Sequence, residues 1–192
     1  MNKVNFSNLI AQIINSNPFK ERLSSICTNY SNLKQENLIR NFILEELNKG
    51  FVNTNFKAFA EHPRLNTTRA DLGIVDCYKP KDPFKVEFKY QFCKDNFDLS
   101  DYGFVIRRDF EERKSDLFIL TIANWDIEEK QKFDKKWGID SNLSRYISKS
   151  DTWKTNILES FEKFENTELT VFDRIGVDSP FSMEYHFYML SR

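Results

Sequence analysis

Asp71, Glu87 and Lys89 are the residues of this chain whose types and spacing could do chemistry. Glu87-Phe88-Lys89 lies in Phe84–Phe92, where Phe84, Val86, Phe88, Tyr90 and Phe92 alternate with Lys85, Glu87, Lys89 and Gln91. A period of two predicts a strand, and second neighbours on a strand share a face, so Glu87 and Lys89 stand side by side. Asp71 belongs to the preceding predicted strand, Arg69 to Tyr78, and Lys79-Pro80-Lys81-Asp82-Pro83 between them reads as a turn. Two carboxylates a few ångströms apart repel each other unless a cation lies between them, and hard oxygen donors select Mg²⁺ or Mn²⁺. Such an ion polarises a phosphodiester oxygen and acidifies a bound water, while a neighbouring ammonium stabilises developing negative charge. That division of labour is phosphodiester hydrolysis. Counting outward from Asp82 sets residues near Asp76 opposite Glu87 or Lys89, so Asp71 is expected to need an offset or a bulge to join them.

The elements that must position these residues follow from hydrophobic spacing. Phe6, Leu9, Ile10, Ile13 and Ile14 predict an amphipathic helix over residues 5–15, interrupted by Pro18. A stronger helix is predicted from Lys34 to Lys49, with Leu38, Ile39, Phe42, Ile43 and Leu47 as its buried stripe, Glu36 in its first turn and Gly50 at its stop. Phe51 to Glu61 reads as a strand and His62 to Thr68 as a loop. After the third strand, Tyr102 to Lys114 reads as a helix with Phe104, Val105 and Phe110 inward, leading into a continuous apolar run, Asp116 to Ala123, that suits a buried strand. Residues 126–137 and 151–165 are predicted helical, and Glu168 to Asp173 and Phe181 to Leu190 as late strands.

Glu36 on a helix, Arg69-Ala70-Asp71 on a strand, Glu87-Phe88-Lys89 on the next, then a helix and a buried strand resemble the PD-(D/E)XK nuclease superfamily, over roughly residues 34–123. The resemblance implies a restriction-endonuclease-like α/β fold: a mixed central sheet of about four or five strands flanked by helices, with N-terminal helices and a C-terminal extension beyond residue 123. It implies that Asp71 and Glu87 bind Mg²⁺ (or Mn²⁺), that the Phe88 backbone carbonyl is a further ligand, that Lys89 is catalytic and that Glu36 completes the site. Ala70 stands where the family usually has proline. The activity implied is Mg²⁺-dependent cleavage of nucleic acid, DNA above all, in restriction, defence, repair or toxin settings, with a homodimer open to such a domain. The alternative is a catalytically inactive module of the same fold that binds nucleic acid or a protein.

Several neighbours have two readings. Glu36 equally suits the macrodipole of a first helical turn. Arg69 shares a face with Asp71 and could meet a phosphate or pair with an acid; Gln91 continues the face of Lys89 and could touch substrate. Arg107, Arg108, Arg113 and Lys114 alternate with Asp109, Glu111 and Glu112, which favours a solvated, ion-paired face over a phosphate track.

Composition sets the outer bounds. At 192 residues with 40% hydrophobic content and 19 Phe, the chain is expected to be a single domain with a substantial core. A net charge of −1 gives no overall counterion-release drive toward nucleic acid, leaving only a local basic edge of Lys79, Lys81, Lys85, Lys89 and Lys94. Three dispersed cysteines exclude a disulfide framework and a thiolate zinc site and suit the reducing cytoplasm, and two histidines exclude a histidine-rich metal site. Neither a signal-peptide core nor a membrane span is expected. Trp125, Trp137 and Trp153 are expected in the core rather than on a base-stacking surface.

Overall fold

The computed structural model describes residues 3–63, 69–93, 102–143, 148 and 150–192. Its centre is a seven-stranded mixed sheet flanked by helices, an α/β fold. The strands are β1 (Phe56–Pro63), β2 (Arg69–Asp76), β3 (Phe84–Phe92), β4 (Leu117–Trp125), β5 (Glu168–Val171), β6 (Ile175–Val177) and β7 (Met183–Ser191). They run in the order β1-β2-β3-β4-β7-β5, with β6 also paired to β7. Only β3 and β4 pair in parallel, and a parallel pair needs a crossover between its strands. That crossover carries helix α4 (Gly103–Ile106), which continues as π-helix over Arg107–Glu112.

Three helices cover one face: α1 (Lys3–Asn15), α2 (Asn17–Asn29) and α3 (Glu36–Gly50). Helix α2 corrects the expectation that Pro18 only interrupts. The Ser16 hydroxyl caps α2 by accepting the Phe19 N–H at 3.3 Å, and proline in a first turn sacrifices no helical hydrogen bond. Leu23, Ile26 and Cys27 then give α2 its buried side. On this face Leu72, Ile74, Val86, Phe88, Ile119 and Phe187 form the sheet's half of the larger core. On the opposite face Phe118, Leu120, Ile122, Tyr188 and Leu190 pack with Ile106 and Phe110 of the crossover and with Trp153, Ile157 and Phe161 of helix α6 (Thr152–Phe161). Helix α5 (Ile127–Lys136), begun by the Asp126 side chain on the Glu129 N–H, follows β4.

Strand β3 has the predicted bounds, and residues 168–171 and 183–191 form late strands as expected. Other boundaries shift. Strand β1 starts at Phe56 because Phe51 caps α3 and Asn53 takes a left-handed φ of 63°. His62 lies in β1 rather than a loop, whereas residues 64–68 of the expected loop fall outside the described residues. Phe104 is exposed, not inward, because α4 turns Ile106 and Phe110 to the sheet. Trp125 and Trp153 are core residues, but Trp137 is exposed. Among the described residues no helix is long and apolar enough to cross a membrane.

A candidate active site where β2 leaves β3

Strands β2 and β3 pair through Ile74↔Phe84, Gly73↔Lys85 and Leu72↔Val86, and the ladder stops there. This register centres the hairpin on Lys79 rather than Asp82 and ends one pair short of Asp71, whose side chain reaches the Phe88 N–H instead. Strand β3 runs on, held by β4 as far as Phe92↔Ala123. Past the split, the N–H groups of Phe88 and Tyr90 face the side that β2 has vacated. A buried N–H left without an acceptor costs about 1–3 kcal/mol, and two acids supply the acceptors. Asp71 Oδ2 accepts from Phe88 N at 2.8 Å, and Glu36 Oε2 accepts from Tyr90 N at 2.7 Å. Helix α3 therefore presents its first residue to the same strand end as Asp71. The N–H and C=O of one strand residue point the same way, so the Phe88 carbonyl faces this gap too.

Glu87, Lys89 and Gln91 lie on the sheet face covered by α4 and α6, in register with Phe118, Leu120 and Ile122. Glu87 is 1% exposed, and its Oε2 accepts from Arg113 Nη1 at 2.8 Å. Arg113, just past the π-helix, also lies 3.5 Å from Oδ1 of buried Asp109, whose carboxylate receives Arg108 as well. Lys89 is half-buried and acts electrostatically on Glu36. Gln91 accepts from Lys34 Nζ at 3.0 Å and donates to the Tyr102 hydroxyl at 3.4 Å. Arg69 is exposed at the start of β2.

Burial raises the pKa of both gap-facing acids above the ordinary carboxylate range. At Glu36, the Tyr90 N–H opposes the burial, Asp71 adds to the rise, and Lys89 and Lys34 offset part of it. At Asp71, the Phe88 N–H opposes the burial, Glu61 adds to it, and Arg40 and Arg113 counter it. Glu61, in the left-handed region at φ 52°, is ion-paired to buried Arg40. The neighbourhood thus holds Glu36, Glu61, Asp71 and Glu87 against Lys34, Arg40, Lys89 and Arg113.

Glu36 and Asp71 are brought to neighbouring N–H groups of β3, where Lys89 acts on Glu36, while Glu87 is bonded to Arg113 on the face covered by α4 and α6. The basic edge does not gather there. Lys79 and Lys81 sit in the turn at the other end of the hairpin, roughly 16 Å of strand from Lys89 at about 3.3 Å per residue, and Lys94 lies outside the described residues. The cations that serve the site instead are Lys34, Arg40 and Arg113, which sequence reasoning did not assign to it. For Arg113 a signal existed: a glutamate on a strand sandwiched between apolar layers needs a cation nearby. The two histidines lie on β1 and β7, with three strands between them.

The donor types suit a hard divalent ion, since Asp71 and Glu87 are carboxylates and Phe88, whose N–H bonds Asp71, carries a carbonyl on the same strand edge. Among the described residues, however, no group of three or more His, Cys, Asp or Glu converges closely enough to hold a metal ion, and the cation on Glu87 is Arg113. Searches against protein-family models, curated proteins and solved structures found no match.

Proposed function

We propose that the chain is a nuclease that hydrolyses phosphodiester bonds with the help of Mg²⁺ or Mn²⁺, most naturally in DNA. In this reading Asp71 and Glu87 hold the cation with the Phe88 carbonyl, Lys89 positions water or stabilises charge developing on the phosphate, and Glu36 assists. The observation that carries it is the pair of hydrogen bonds from Phe88 and Tyr90 to Asp71 and Glu36, which brings two part-buried acids of raised pKa to either side of Lys89. Titratable groups perturbed by burial and by charged neighbours are candidates for proton transfer or metal binding. The order of helix, antiparallel three-strand meander, crossover helix and parallel strand supports the resemblance to PD-(D/E)XK enzymes.

The test is cleavage of supercoiled plasmid, single-stranded DNA and RNA by the purified chain with millimolar Mg²⁺ or Mn²⁺, against EDTA and against Lys89→Ala. Lys89→Ala is expected to lose on the order of 10²–10³ in rate, the cost of removing one electrostatic stabiliser, while melting close to the wild type. Robust cutting by Lys89→Ala removes the lysine from the mechanism, and no cutting of any substrate by the wild type defeats the reading. A second reading, a non-catalytic module of this fold that binds nucleic acid or protein, is favoured by the Glu87–Arg113 ion pair and by the lack of a three-ligand group among the described residues.

A further inference from the structure

We propose that Arg113 is a displaceable counter-cation of Glu87, holding in the metal-free protein the carboxylate that a divalent ion takes over on binding, so that Arg113 sets the metal affinity of the site. The inference rests on the metal-dependent reading above. Glu87 is 1% exposed, and a carboxylate so enclosed needs a charged partner to offset its lost hydration, which Arg113 Nη1 supplies at 2.8 Å. Arg113 also acts electrostatically on Asp71. The guanidinium is therefore bonded to one of the two carboxylates that would share a metal and felt by the other.

A divalent ion between Asp71 and Glu87 and a guanidinium on Glu87 repel each other, so the two states exclude one another. The fold leaves the arginine somewhere to go. Its side chain is 38% exposed, and Asp109 Oδ1, buried on the same π-helical turn, already lies 3.5 Å from it. Leaving Glu87 for Asp109 exchanges one buried carboxylate for another by side-chain rotation, with no movement of the sheet. The competing ligand must be a compact hard cation, because the donors are carboxylate and carbonyl oxygens.

The experiment is calorimetric titration of Mn²⁺ into the wild type, Arg113→Gln, Arg113→Lys and Asp71→Asn, with no substrate present. Charge-assisted hydrogen bonds contribute enough that Arg113→Gln is expected to bind Mn²⁺ at least about tenfold more tightly than the wild type. Arg113→Lys, which keeps the charge without the fork, falls between them, and Asp71→Asn abolishes binding. If Arg113→Gln does not fold, Arg113→Lys carries the comparison: tighter binding than the wild type supports the counter-cation role, and equal or weaker binding overturns it. If the wild type binds Mn²⁺ and neither arginine variant binds it more tightly, this inference alone is overturned. No Mn²⁺ binding by any variant at millimolar concentration overturns the metal-dependent reading with it.

Discussion

Replacing Asp71 by Asn is expected to stabilise the metal-free protein at neutral pH, although it touches a part-buried acid with a good hydrogen bond. The carboxylate accepts one N–H from Phe88 at 2.8 Å, and a carboxamide oxygen can accept the same bond. Exchanging a charged for a neutral acceptor forfeits about 1 kcal/mol. Against that stand burial and the repulsion of Glu61, which together outweigh the Phe88 N–H, Arg40 and Arg113, since the pKa of Asp71 moves up. A raised carboxyl pKa means that the folded chain binds the proton more tightly than the unfolded chain. The stability cost is therefore absent below the unfolded value near 3.8, grows as pH rises through the folded value and is constant above it. The net gain is about 1 kcal/mol, within the range released when a group kept for function is removed, and held down by the part-exposure of the carboxylate. For a chain of this length that is a rise in Tm of about 2–4 °C. The assay is thermal melting in EDTA at about pH 7.5 and about pH 4, where the difference should be full and nearly gone, respectively. Adding Mn²⁺ should then raise the wild-type Tm and not that of the variant, because a ligand stabilises only the state that binds it. A variant that melts lower than the wild type at neutral pH, with a gap that does not narrow in acid, would refute the reasoning.

Two further perturbations probe the frame around the site. Gly73→Ala would set a Cβ 2.7 Å from His62 Cβ and Cγ, so it should cost about 1–3 kcal/mol, read as a lower urea midpoint, and pairing it with His62→Gly, which removes the Cβ that alanine would keep, should make the two effects clearly non-additive. Lys130 is fully buried, ion-paired to buried Asp134 and set against the rings of Trp125, Phe133 and Phe181 at 5.1, 5.8 and 5.2 Å. Lys130→Met takes the ammonium from a buried carboxylate and should cost about 3–5 kcal/mol, and the double variant with Asp134→Asn should recover most of it in the same denaturation assay.

What could be read from the sequence divides along local and non-local lines. Strand β3 was legible because nine residues of alternation leave one reading, and the buried run of β4 because only Thr121 interrupts its apolar stretch from Leu117 to Ala123. Helix α3 was legible from its stripe. Helix α2 was not, because a proline marks a break and a first turn equally, and only the Ser16 cap three residues before Phe19 separates them. Strand β6, three residues long and paired only to β7, has no pattern long enough to detect. At the site, residue types were legible and partnerships were not. The hairpin centre at Lys79 decides whether Asp71 reaches Phe88, and Pro80 and Pro83 permit more than one centre. Arg113 was assigned to a solvated helix face by its acidic neighbours. The π-helical winding, which ends with Lys114 at φ 51°, instead brings it to Glu87 across the parallel crossover.

The split between β2 and β3 links the fold to the chemistry. A continued ladder would satisfy the Phe88 and Tyr90 N–H groups with backbone carbonyls at no electrostatic cost. Neutral acceptors such as asparagine or serine could plug the gap more cheaply than acids that burial pushes toward protonation. The chain uses Asp71 and Glu36, pairs buried Glu87 with a guanidinium and sets Lys89 between the two capped N–H groups. Departures from the locally cheapest choice concentrate where a protein binds or reacts. Here Asp71 and Glu36 depart together along one strand edge beside Lys89, and on the proposed reading a hard cation would turn their cost into binding energy.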